Sequence, residues 1–200
     1  WVGLLFLCFA PLAFSQNITE AEPNEDYGTA QFITSGDDVS GEISSPNDVD
    51  NYAITVNGAG KIELRFSASD QDYTGWVFGL VDGSGNVLAS RECNPCRSGV
   101  VLSAGVSGVG TYYVRVISGS SYSKPDPSYT VTATYSSQTG GVELEPNDDR
   151  GRATSITSGQ PMEGNLSSSD DVDNYAITVN GAGKIELRFS ASDQDYTGWV

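Results

Sequence analysis

Residues 48–77 recur letter for letter at 171–200. The correspondence continues upstream at the same offset of 123, where 20–47 match 143–170 without a gap at half of the positions. A period this long means tandem domains, because solenoid repeats run to about 20–50 residues. The repeating unit must therefore fold within about 120 residues, an ordinary length for one domain. We expect a first module over 20–136, a linker over 137–142, and a second copy over 143–200 that lacks its back half.

Within the first module, apolar and polar residues alternate with period two in runs bounded by Gly, Asp, Asn or Ser, the pattern of half-buried strands. Tyr52, Ile54 and Val56 share one face of "NYAITV", and Ile62, Leu64 and Phe66 share one face of "KIELRF" with Lys61, Glu63 and Arg65 outside. Further runs are "WVFGLV", "NVLAS", "GVVLSA", "TYYVRVI" and "SYTVTATY". In "TYYVRVI", either Tyr112, Val114 and Val116 or Tyr113, Arg115 and Ile117 face the core. Glycines mark "NGAG" at 57–60 and "DGSGN" at 82–86 as hairpin turns. The 23 Gly and 10 Tyr beside one Met fit the same reading. About eight short strands with turns every 8–12 residues predict an all-β fold, an antiparallel sandwich of jelly-roll type.

The first residues, "WVGLLFLCFAPLAFSQ", form an apolar run too short to span a bilayer, with small residues, Ala13 and Ser15, three and one positions before a plausible cleavage point. We read 1–15 as a secretory signal whose start is missing, so the protein is expected to be secreted or displayed at a cell surface. Cys8 would leave with the signal. Cys93 and Cys96 then remain, and in an oxidising compartment they are expected to close a small disulfide. A zinc half-site would need further Cys or His ligands, and the chain contains no His.

That absence also removes the Ser-His-Asp and Cys-His arrangements of nucleophilic catalysis, so this stretch of chain is read as non-catalytic. A net charge of −16 repels nucleic acid and anionic membranes.

The acidic residues cluster at repeated places. "EAEPNED" at 20–26 returns as "ELEPNDD" at 143–149. In an extended leader Glu20, Glu22 and Asn24 would line one face at intervals of about 6.5–7 Å, and Pro23 would keep the chain from becoming helical. Unpartnered carboxylates at that spacing repel, and a hard cation removes the repulsion. Oxygen-only donors with no His or Cys favour calcium, which takes six to eight oxygens at about 2.3–2.6 Å. A second oxygen-rich stretch follows in each copy, "SGEISSPNDVDNY" at 40–52 and "EGNLSSSDDVDNY" at 163–175.

Glu-x-Glu-Pro-Asn-(Glu/Asp), a Gly before "EI" or "NL", and then Asp-x-Asp-x-Tyr with an alternating strand occur in that order in both copies. Together they resemble the bacterial pre-peptidase C-terminal domain family, relatives of the collagen-binding modules of clostridial collagenases. The resemblance implies a jelly-roll-like β-sandwich whose leader folds back to bind calcium. Carried over by position, it implies ligands at Glu20, Glu22, Asn24, Glu25, Gly41 (carbonyl) or Glu42, Asn47 and Asp50. In the second copy the set is Glu143, Glu145, Asn147, Asp148, the region of Gly164 and Asn165, Asp170 and Asp173. Domains of this family accompany exported enzymes such as peptidases as non-catalytic appendages. Alternatives are a tandem-repeat adhesion or structural protein, and a carbohydrate- or collagen-binding module. Either way the expected partner is an extracellular protein or polysaccharide, without nucleic acid and without membrane insertion.

Overall fold

A computed structural model of the chain describes residues 15–68, 74–93, 96, 99–121, 128–137, 141–167 and 170–191. Cys8 and nearly all of the expected signal segment fall outside the described residues. All regular structure among the described residues is β, and no helix there is long and apolar enough to cross a membrane.

The first module contains β1 (Asn17–Thr19), β2 (Gln31–Ile33), β3 (Asp38–Glu42), β4 (Val49–Val56), β5 (Gly60–Ala68), β6 (Thr74–Val81), β7 (Val87–Cys93), β8 (Val100–Val106), β9 (Gly110–Ser121) and β10 (Ser128–Ser136). They form two five-stranded sheets, in the orders β1-β3-β10-β5-β8 and β2-β4-β9-β6-β7. The expected sandwich is present, and its central pairings are antiparallel. Two edge pairings are parallel, β1 with β3 and β2 with β4. A parallel neighbour needs a long connection. Here the leader supplies it by visiting the opposite sheet between β1 and β3.

The inner faces carry the alternating residues. Val39, Val131, Phe66 and Val100 lie in register across one sheet, and Tyr52, Val114 and Leu80 across the other. Between the sheets Phe66 stacks on Phe78 at 4.6 Å, while Trp76 and Tyr129 meet edge-on at 5.4 Å. This aromatic block joins both layers, and aromatic pairs of this kind add about 0.5–1.5 kcal/mol beyond the area they bury. Of the two faces open to β9, Tyr112, Val114 and Val116 point inward and are buried. Tyr113 therefore points outward, where its ring lies 4.5 Å from that of Tyr27, in one row with exposed Phe32.

The "NGAG" stretch is not a hairpin. β4 and β5 lie in different sheets, so this turn carries the chain across the sandwich. β5 then packs across the core against β6, where Phe66 meets Trp76 and Phe78, and glycines permit such an arch as readily as a hairpin. "DGSGN" does close the hairpin between β6 and β7, with Gly85 at φ 87° and the Asp82 carboxylate accepting from the amides of Ser84 and Asn86. Beyond it, a disulfide joins Cys93 and Cys96, and the Cys96 carbonyl accepts the amide of Ala68 at the end of β5.

In the second copy, β11 (Thr154–Ile156) pairs in parallel with β12 (Tyr175–Ile177), reproducing β2 and β4 register for register. There the likeness stops. The segment identical to β5 forms no strand, and Ile185, Leu187 and Phe189 are 60, 81 and 65% exposed. Among the described residues, nothing corresponding to β8 or β10 flanks it.

Candidate metal centre

The leader after β1 leaves the strand conformation at Glu20 and bends through a cis Glu22–Pro23 peptide. The Glu22 carboxylate turns back to accept the amide of Asn24 at 3.0 Å. Glu20 and Glu22 are thus closer than an extended arm would hold them. Their oxygens and one of Asp50 all lie within 4.8 Å of one another. Asp50 arrives from the start of β4, on the side opposite Val49.

Several contacts fix this arrangement. Glu20 accepts the backbone amide of Glu42 at 2.7 Å, the side-chain amide of Asn24 at 2.9 Å and the hydroxyl of Tyr52 at 3.1 Å. Asp50 accepts the Tyr129 hydroxyl, which in turn lies 2.6 Å from that of Tyr52. The aromatic core therefore reaches the carboxylates directly, through Tyr129. Gly41 makes room for this. A β-carbon there would sit 2.5 Å from the Tyr129 hydroxyl and 2.7 Å from that of Tyr52.

Burial pushes the Asp50 carboxyl up to about 9, with the neighbouring charges of Glu20 and Asp48 adding to it. Burial likewise raises the hydroxyls of Tyr52 and Tyr129, so both keep their protons. The contacts form a continuous chain from Asp50 through Tyr129 and Tyr52 to Glu20. Oδ1 of Asp50 and Oδ1 of Asn24, both in fully buried residues, have no hydrogen-bond partner among the described residues. Unpartnered buried oxygens are rare and costly, and they mark a missing donor or ion. Oxygen donors from two carboxylates, a buried carboxyl and an amide fit a hard cation.

The second copy repeats the grouping. Glu143, Glu145 and Asp173 offer oxygens within 4.8 Å of one another. Glu143 accepts the Tyr175 hydroxyl and, in a very short contact, the amide of Asn165. Here Glu145 Oε1 and Asp173 Oδ1 are buried oxygens without a partner among the described residues. Burial pushes Glu143 and Glu145 each up to about 7, and raises Asp173. Gly164 occupies the place of Gly41, with the Tyr175 hydroxyl 2.2 Å from where a β-carbon would be.

Of the expected ligands, the structure brings together Glu20, Glu22, Asn24 and Asp50, and in the second copy Glu143, Glu145 and Asp173, with buried Asn147 beside Glu143. Glu25 joins Glu22 in a second group completed by Asp48. Glu42 contributes its amide to Glu20, and Asn165 does the same for Glu143. Asn47, Asp148 and Asp170 are exposed. Asp48 was not among the expected ligands, although "DVD" alternates so that 48 and 50 share a face. It is buried, and it accepts the amide of Ser44 as its counterpart Asp171 accepts that of Ser167.

No family model matches the chain, and no protein of known function matches it in sequence. Among solved structures it is similar to the pre-peptidase C-terminal domain of collagenase from Bacillus anthracis, with TM-score 0.44 and 20% identity over 57% of this chain and 100% of that one. It is also similar to a β-glucosidase from Paenibacillus barengoltzii, with TM-score 0.27 and 11% identity over 61% of this chain and 13% of the other. A third is the carbohydrate-binding module CBM36 in complex with calcium and xylotriose, with TM-score 0.29 and 18% identity over 48% of this chain and 87% of that one.

Proposed function

We propose that each copy is a non-catalytic, calcium-binding β-sandwich module of a secreted bacterial protein, accessory to an exported enzyme such as a peptidase. The observation that carries this reading is the set of buried, unpartnered oxygens on members of the carboxylate groups, on Asp50 in one copy and on Glu145 and Asp173 in the other, with that of Asn24, whose side-chain nitrogen contacts Glu20, beside the first. The ligands are Glu20, Glu22, Asn24 and Asp50, with Glu25 and Asp48 as an adjoining outer group. In the second copy they are Glu143, Glu145, Asn147 and Asp173. When bound, calcium neutralises these charges and pins the leader to the start of β4. Tyr52, Tyr129 and Gly41 position the carboxylates from the core side. The ion is structural in this reading, and the module attaches or stabilises whatever it accompanies. The outward row of Tyr113, Tyr27 and Phe32 supports an extracellular protein or polysaccharide as the partner.

Thermal melts in millimolar calcium and in chelator test it. A ligand at one hundred times its Kd stabilises the native state by about 2.7 kcal/mol, which for a domain of this size raises Tm on the order of 10 °C. The shift should vanish in the Asp50→Asn, Asp173→Asn double variant. An equal Tm in calcium and chelator for the unaltered chain sinks the reading.

A further inference from the structure

Both halves of the second carboxylate group rest on the first module. The leader half does so at β8, where Leu144 forms an isolated parallel bridge with Gly105. A β-carbon at Gly105 would lie 2.2 Å from the carbonyl oxygen of Glu143 and 2.8 Å from Cδ2 of Leu144, and its three nearest neighbours all belong to the second copy. The loop half does so at β7. Ser90 Oγ donates to the carbonyl of Ser167 at 2.7 Å, and Asn165 Nδ2 donates to the carbonyl of Ser90 at 3.4 Å. Glu145 borders a cavity of ≈ 280 Å³ whose other walls, among them Asp82, Thr111 and Tyr112, are first-module residues.

β7 and β8 end the two sheets on the same side of the sandwich. One edge of the first module thus touches the segment that carries Glu143 and Glu145 and the segment whose Asn165 amide grips Glu143. Among the described residues, the first carboxylate group has no such support. Its contacts, from Glu42, Tyr52 and Tyr129, are all internal to its own module.

We propose that the β7–β8 edge of the first module is a docking surface for the leader and metal loop of the second, and that docking and cation binding at Glu143, Glu145 and Asp173 strengthen each other. The proposal rests on the metal reading given above. Holding three carboxylates within 4.8 Å costs repulsion and chain entropy. A surface that has already ordered both segments removes part of that cost from the binding step, and by linkage a bound cation tightens the docking equally.

Calorimetric titration of the full chain with calcium chloride tests this. Asp173→Asn identifies the second site by abolishing its step, and Asp50→Asn identifies the first. In Gly105→Val the second-site Kd should rise by roughly 5- to 150-fold, the usual span of coupling between sites. The first-site Kd should stay unchanged, which also reports that the first module is folded. Ser90→Ala should weaken the same step by less. Unchanged second-site affinity in both Gly105→Val and Ser90→Ala overturns the coupling while leaving the metal reading intact. No calcium binding by the unaltered chain overturns the metal reading and this proposal with it.

Discussion

Asp50 concentrates the chemistry of the first module in one carboxyl group. Its ordinary value is 3.8, and burial, with Glu20 and Asp48 nearby, carries it to about 9. Between those limits the folded protein holds a proton that the unfolded chain has released. The folded state binds more protons there, so metal-free stability falls as pH rises, by up to about 1.4 kcal/mol per pH unit for one group. Glu143 and Glu145, each raised to about 7, act in the same direction over a narrower window. Asp37 is held below its ordinary value, since the hydroxyl and amide of Thr34 and the amide of Gln16 outweigh its burial. It acts in the opposite sense, but only at more acidic pH. In chelator, Tm should therefore drop from pH 5 to pH 9, and the drop should be smaller in Asp50→Asn. In the proposed reading calcium displaces that proton, so the calcium-induced rise in Tm should grow across the same range. A Tm in chelator that climbs toward pH 9 would contradict the assignment.

The strands were largely legible, because one buried face and one solvated face write themselves into period-two alternation. Tyr52, Ile54 and Val56 in β4 and Ile62, Leu64 and Phe66 in β5 all lie in the core as their spacing demands. Pairing was less legible, since alternation says nothing about which sheet a strand joins, and "NGAG" therefore read as a hairpin. The carboxylate grouping of the leader was legible, yet its partners were not. Tyr129 meets Asp50 across 79 residues of chain, and the need for a glycine at 41 arises only when two hydroxyls crowd that point. The Cys93–Cys96 bridge sits at the same level of organisation. It closes a very short loop at the end of β7 and packs buried Cys96 against β5 through the Ala68 amide. Chain-entropy arguments give such a loop about 2 kcal/mol. Replacing both cysteines by serine should lower the urea midpoint accordingly with little change in the slope, as measured by equilibrium unfolding.

At the scale of the whole molecule, one sequence is present in two environments. In β5, Ile62, Leu64 and Phe66 are fully buried, hydrogen-bonded between β10 and β8. Their counterparts Ile185, Leu187 and Phe189 lie open to solvent in a segment without strand pairing. Propensity is identical, so the difference comes from neighbours alone, as strand formation generally does. Brief trypsin treatment should cut after Lys184 and Arg188, whose side chains are 83 and 90% exposed, before it cuts after Lys61 and Arg65 in the paired strand. Fragment masses distinguish the two outcomes, and equal rates of cleavage would remove the contrast.

The joint at Gly105 gives the two copies unequal standing in time. A polypeptide is made from its N-terminus, and early domains fold before later ones emerge. The first sandwich can finish on its own contacts and then offer a ready-made berth, and the second arrives as its client. In the proposed docking, synthesis order and assembly order run the same way.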